Sequence, residues 1–197
     1  MMPHRVPAKK GAATFSPGCC RMKETTTEIL FPKAVIERRV GELAAQISRD
    51  YAGKELLIVG VLNGAFIFMA DLIRALNVPC TVDFVRMASY GAGSVSSGEV
   101  RIRKDLETPV VGRDVLIVED IVDTGFTLLR LMEILRERGP ASLRVCAFLD
   151  KRERRRVPFV ADYVGFPIPD AFVVGYGLDY NEQFRFLPDV RVLRDIV

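Results

Sequence analysis

The sequence has one histidine, His4, and four cysteines, Cys19, Cys20, Cys80 and Cys146, at spacings that suit no metal-ligand set. Imidazole chemistry and a zinc-thiolate centre therefore have no carrier, and proton transfer falls to carboxylates and lysine. Cys80 and Cys146 lie in or beside apolar strand-like runs, where a free thiol packs as a small core residue. No apolar run has the length of a membrane span or the core of a signal peptide. With free cysteines, this sets the expectation of a cytoplasmic protein with no membrane partner. Internal repeats and low-complexity tracts are missing too.

Acidic residues are absent from residues 1–23, which hold Arg5, Lys9, Lys10, Arg21 and Lys23. The 197-residue chain carries a net charge of +3, but beyond that segment 23 basic residues face 25 acidic ones, a balance of −2. The basic character thus belongs to the tail, which argues against a nucleic-acid-binding face, while the cluster Arg152–Arg156 leaves a regulatory RNA-binding protein as the competing reading. Pro3, Pro7, Gly11, Pro17 and Gly18 interrupt the tail, which shows no helical or strand period. It is expected to be disordered, or to precede a true start at Met22. Residues 24–197 are expected to form one domain, with 49% hydrophobic and 27% charged residues in the whole chain fitting a soluble globular protein.

The most informative stretch runs from Val115 to Leu129. Val115 to Val118 is a β-branched run of the kind buried in a parallel sheet. From Phe126, apolar Leu128, Leu129, Leu131, Met132 and Leu135 recur at helical spacing until Gly139-Pro140 stops them. The turn between sits at a strand's carboxyl end and a helix's amino end, where free N–H groups and the helix dipole favour a phosphate. Asp123, Thr124, Gly125 and Thr127 would form the cradle. Glu119, Asp120 and Asp123 would repel a bare phosphate, so the ligand must bring a divalent cation, hydroxyl donors or a proton to lose. Two other readings fit the turn alone: the Asp-Thr-Gly of an aspartic protease, and an Asp123 that merely caps the helix.

Elsewhere, helix and strand patterns alternate. A helix follows Phe31-Pro32 with Val35, Ile36, Val40, Leu43, Ala44 and Ile47 on one face, and strand Leu56–Val61 precedes an apolar helix from about Ala65 to Leu76. Strand Thr81–Met87 leads through a small polar segment, expected to be mobile, to an edge strand at Val100–Lys104. Strand Val115–Glu119, helix Phe126–Arg138 and strand Leu143–Leu149 follow. This is the pattern of an α/β protein, an open mostly parallel sheet flanked by helices, with ligand beyond the strands' carboxyl ends. After Lys151, runs at Val160–Val164, Phe172–Val174 and Val190–Leu193 predict a small C-terminal hood lobe formed mainly by about 155–197.

The run Val115 to Leu129 resembles the phosphoribosyl-pyrophosphate (PRPP) motif of type I phosphoribosyltransferases. The run from Phe172 to Glu182 resembles the purine hood of their 6-oxopurine (hypoxanthine-guanine) branch. The resemblance extends from about Ile29 onward. It implies a purine-salvage transferase that moves ribose-5-phosphate from PRPP to N9 of hypoxanthine or guanine, giving IMP or GMP and pyrophosphate with Mg²⁺. Glu119 and Asp120 would hold the ribose hydroxyls and, through them, the metal. Asp123, Thr124, Gly125, Phe126 and Thr127 would wrap the 5′-phosphate, with Asp123 as the proton partner of purine N7. Lys151 would donate to the 6-oxo group, Phe172 would stack on the base, and the Val173 carbonyl would accept from its edge. Asp179 would add a second acceptor and reach a metal through water. Leu62, Asn63 and Gly64 match the pyrophosphate loop, whose peptide can be cis; an amide at Asn63, where many members carry a basic residue, leaves the backbone role intact. Ser89 and Tyr90 match a closing loop, and Arg185 a pyrophosphate-side cation. Without the resemblance, Lys151 would read as part of the water-facing charge run Lys151–Arg156. The family also implies a homodimer or homotetramer, to which the Ala65–Leu76 helix could contribute.

Overall fold

The computed structural model describes residues 27–89 and 100–194. The tail, Tyr90 with the small polar segment behind it, and the last three residues lie outside these, as do Cys19, Cys20 and His4.

Among the described residues, nine strands and three α-helices follow in the order β1 (Thr27–Phe31), α1 (Lys33–Asp50), β2 (Leu56–Leu62), α2 (Phe66–Ala75), β3 (Cys80–Ser89), β4 (Val100–Lys104), β5 (Asp114–Val122), α3 (Phe126–Glu137), β6 (Ser142–Asp150), β7 (Tyr163–Pro167), β8 (Val173–Val174) and β9 (Val190–Leu193). Six strands form the main sheet in the order β4-β3-β2-β5-β6-β7. All its pairings are parallel except that of the edge strand β4 with β3.

Strand periodicity decides which face each residue serves. Leu56 and Ile58 of β2, Leu116 and Val118 of β5, and Cys146 and Phe148 of β6 point toward α1 and α2. Leu57, Val59, Val115, Ile117, Val145 and Ala147 point the other way, onto Leu128, Leu131, Met132 and Leu135 of α3. Both faces are covered, which is why these strands read as unbroken apolar runs. In α1 the buried residues are Ile36, Val40, Leu43, Ala44 and Ile47, as the helical spacing predicts.

The second sheet, of order β1-β9-β8, is wholly antiparallel and makes the hood. Here the structure departs from the sequence reading twice. The run at Val160–Val164 does not build the hood: the strand is Tyr163–Pro167, and it pairs with β6 as the far edge of the main sheet. The hood instead recruits β1, a strand that the pattern did not predict because its side chains are mostly half or fully exposed. The unpaired flank of β7 is blunted by Arg39, whose guanidinium donates to the carbonyls of Val164 (2.7 Å) and Gly165 (2.8 Å).

Hood and main sheet share apolar contacts. Phe31 of β1 stacks on Phe166 of β7 at 4.1 Å, Phe166 meets Phe148 edge-on at 5.7 Å, and Phe148 contacts Tyr176 of the hood at 4.9 Å.

Candidate active site

Strand β5 runs three residues past the predicted end at Glu119, so both acids of the motif lie inside the strand. Its pairing with β2 stops at Val118, while pairing with β6 continues to Val122. Glu119 and Asp120 therefore emerge where the sheet opens, beside the β2–α2 turn. The peptide joining Leu62 and Asn63 in that turn is cis. Gly64 follows, and its lack of a side chain is required: a Cβ there would lie 1.5 Å from Asp120 Oδ2.

Each acid keeps part of its surface open to the cleft, but the carboxyl groups are packed among protein atoms. Burial, reinforced by the neighbouring Asp120 charge, pushes the Glu119 carboxyl well above the usual carboxylate range. Burial also raises Asp120 to about 6, opposed by the amides of Ile121 and Asp120 and by the positive charge of Arg185. Glu119 Oε2 is enclosed and has no hydrogen-bond partner. A buried acceptor left open is costly unless a ligand supplies the donor, and a vicinal diol supplies two.

Next along the chain is the turn of Asp123, Thr124 and Gly125. Gly125 takes φ +89° and serves as the N-cap of α3, with no side-chain hydrogen bond to the helix amides and no acid in the first turn. The capping role considered for Asp123 is thus not the one it plays. The first helical bond comes from the Leu129 amide to the Gly125 carbonyl (2.9 Å), leaving the amides of the preceding turn for an anion. A cavity of about 90 Å³ opens here, lined by Glu119, Asp123, Thr124, Gly125 and Thr127 among others. Phe126, the first residue of α3, is 43% exposed and does not line the cavity.

A second segment braces this turn, and the sequence reading missed it. Arg155 donates to the Asp123 carbonyl (2.8 Å) and pairs with the buried Asp150, the Arg156 amide donates to the Thr124 carbonyl (3.0 Å), and Arg154 Nε lies 2.8 Å from Asp123 Oδ1. These arginines sit in a run that looks solvated in sequence; only the fold brings the run back onto the turn.

Lys151 differs from its neighbours. It is 7% exposed, whereas Arg152, Glu153 and Arg154 are exposed, and its amide donates to the Val122 carbonyl at 2.9 Å. Its ammonium lies 3.7 Å from Asp170 Oδ1. Two residues after Asp170, Phe172 is 41% exposed with its ring edge-on to Tyr180 at 5.5 Å, and Val173 is buried in β8. Asp179 accepts from the Glu182 amide (2.9 Å) and lies 2.7 Å from Arg185, which also donates to the Gly177 carbonyl (2.8 Å). Gly177 packs so closely on the β2–α2 turn that a Cβ there would lie 2.3 Å from the Gly64 carbonyl oxygen. Contacts therefore join the hood, the β2–α2 turn and the two acids into one constellation. Ser89 ends β3, while Tyr90 lies outside the described residues.

Among the described residues no group of three or more His, Cys, Asp or Glu side chains could cage a metal. The carboxylates at the cleft suit a hard cation that arrives with most of its ligands, as magnesium does on a polyphosphate.

The phosphoribosyl transferase domain model matches residues 27–181. Over 167 residues the chain is 50% identical to a hypoxanthine phosphoribosyltransferase of Salmonella typhimurium, covering 84% of this chain and 94% of that one. It is 47% identical over 176 residues to a hypoxanthine-guanine phosphoribosyltransferase of Bacillus subtilis, covering 89% and 98%. Among solved structures, a hypoxanthine-guanine phosphoribosyltransferase of Bacillus anthracis superposes with a TM-score of 0.83 at 42% identity, covering 87% of this chain and all of that one.

Proposed function

The chain belongs to the phosphoribosyl transferase family, and from that premise we propose that it transfers ribose-5-phosphate from PRPP to N9 of hypoxanthine or guanine, a purine-salvage reaction releasing pyrophosphate. The observation that carries the choice of base is Lys151. A buried ammonium hung from the strand that bears the two acids is a donor with no acceptor capacity, suited to a 6-oxo group and unsuited to a 6-amino group.

The chain's residues divide the work. The open oxygen of Glu119, with Asp120, receives the ribose hydroxyls. The turn from Asp123 to Thr127 takes the 5′-phosphate on its amides. Phe172 offers a ring face to the base, and the Val173 carbonyl accepts from the base edge. Asp123 stands at the cleft as the proton partner for purine N7. The turn Leu62-Asn63-Gly64 and Arg185 face the leaving pyrophosphate. Magnesium, when bound, would offset the charge of pyrophosphate as the C1′–O bond breaks. Glu119 and Asp120 would hold it through the sugar hydroxyls, and Asp179 through water. The protein acts in the cytoplasm as a homodimer or homotetramer; Phe66 on α2 and Phe186 in the hood, 44% and 73% exposed, leave apolar surface for a second copy.

Incubation with PRPP, magnesium and hypoxanthine is expected to yield equal amounts of pyrophosphate and an N9-linked nucleoside 5′-monophosphate, and nothing after chelation of the metal. Pyrophosphate without nucleotide, or neither product, would overturn the reading.

A further inference from the structure

Asp170 lies on the loop between β7 and β8, at the junction of main sheet and hood, with its side chain 52% exposed. Despite that exposure it binds two cations from another part of the chain. Its Oδ1 is 3.7 Å from the nearly buried ammonium of Lys151, and its two oxygens accept from Arg154 Nη1 at 3.2 and 3.4 Å. Arg154 in turn reaches Asp123 Oδ1 at 2.8 Å through Nε. The result is an ordered chain of charges, Lys151, Asp170, Arg154 and Asp123, whose two ends are the residues assigned to the 6-oxo group and to N7 of the base.

A lysine side chain has four rotatable bonds, and its ammonium selects among acceptors only if something fixes it. Among the described residues Asp170 is the one carboxylate within 4.0 Å of that ammonium. The Pro169 carbonyl accepts from the Ala171 amide at 2.8 Å, a tight turn that sets Asp170 relative to Phe172 two residues later. The loop that presents the stacking ring thus also carries the counter-ion of the 6-oxo donor.

We infer that Asp170 is a positioning residue for base selection: by pairing with Lys151 it holds the ammonium where it meets a 6-oxo group, and through Arg154 it ties that donor to Asp123. The inference rests on the base-binding role proposed above for Lys151. Asp170 touches no substrate; it acts through the lysine.

The test compares the affinities of two nucleotides, inosine 5′-monophosphate and purine riboside 5′-monophosphate, which lacks the 6-oxo acceptor and with it the N1–H donor; the N1–H contact is common to wild type and variant, so the change in preference between proteins reads the lysine. The wild-type protein prefers the inosine nucleotide. Asp170→Asn lowers that preference roughly three- to fivefold, the scale of a partly exposed ion pair, while binding of the nucleotide without the oxo group stays the same. Asp170→Glu restores the preference at least in part. Equal weakening of both nucleotides in Asp170→Asn would mark a merely structural residue and overturn the inference. An unchanged preference in Asp170→Asn would overturn it as well. A wild-type protein without preference would instead show that the base-site reading of Lys151 has failed.

Discussion

At the scale of single residues, the site is a set of carboxylates in unlike surroundings. Asp123 lies against Arg154 with its Oδ1 enclosed, whereas the enclosed Oε2 of Glu119 lies beside the Asp120 carboxylate. General acid–base assistance is typically worth roughly 10²–10⁴-fold, so Asp123→Asn should lower kcat by that order and leave the KM for PRPP nearly unchanged in steady-state assays; equal loss of both would make Asp123 structural. Asp120 predicts a pH effect of unusual sign. Its carboxyl rises from the ordinary 3.8 to about 6 in the fold, chiefly through burial, so the folded protein holds a proton that the unfolded chain has released. Stability of the empty protein is therefore highest below pH 4 as far as this group is concerned, and falls as pH rises to about 6. Asp120→Asn should flatten that slope and stabilise the empty protein at pH 7 by about 1–3 kcal/mol, while weakening PRPP binding; urea titrations at pH 4, 5, 6 and 7 would measure it. The motif acids and Asp123 were legible in sequence because their order along a strand, turn and helix is itself informative. Arg154, Arg155 and Asp170 were not, because a run of arginines and a lone Asp after Ile168-Pro169 look alike whether solvated or folded back onto a site.

At the scale of elements, function depends on where strands end and helices begin. The apolar run predicts an end for β5 at Glu119, where a carboxylate interrupts it, yet bonds to β6 carry the strand to Val122. Those bonds place two acids on rigid backbone rather than on a loop. The turn into α3 depends on Gly125, whose positive φ disfavours other residues and where a Cβ would meet Val157 Cγ2 at 2.8 Å and Arg155 Cδ at 3.0 Å. Gly125→Ala is expected to destabilise the protein by about 1–3 kcal/mol and to weaken PRPP binding by disturbing the amide cradle; calorimetric titration and thermal melting check the two effects. The main-sheet strands and the helices were readable from periodicity because each helix buries one stripe and each central strand two faces. β1 escapes the pattern because none of its residues is fully buried, and β7 shows its strand character but not its partner, since tertiary contact decides which sheet an edge strand joins.

At the scale of the whole molecule, the hood and main sheet behave as parts of one core. Phe148 in β6 is fully buried and touches Phe68 of α2, Phe166 of β7 and Tyr176 of the hood. Phe148→Ala should cost roughly 3–5 kcal/mol. Tyrosine fluorescence and circular dichroism in urea should follow one coincident transition, whereas separate midpoints would mean that the hood melts alone. Charge across the molecule also bears on function. Arg152 and Arg155 are paired with Asp150, and Arg154 with Asp123 and Asp170. The basic run Lys151–Arg156 is thus largely paired with the protein's own carboxylates. Pyrophosphate release from PRPP and magnesium, with hypoxanthine, guanine, xanthine, adenine and uracil offered one at a time, tests the central claim most directly. The account predicts rapid release with hypoxanthine or guanine and little with adenine or uracil; release with uracil, or with no base in the set, would contradict it.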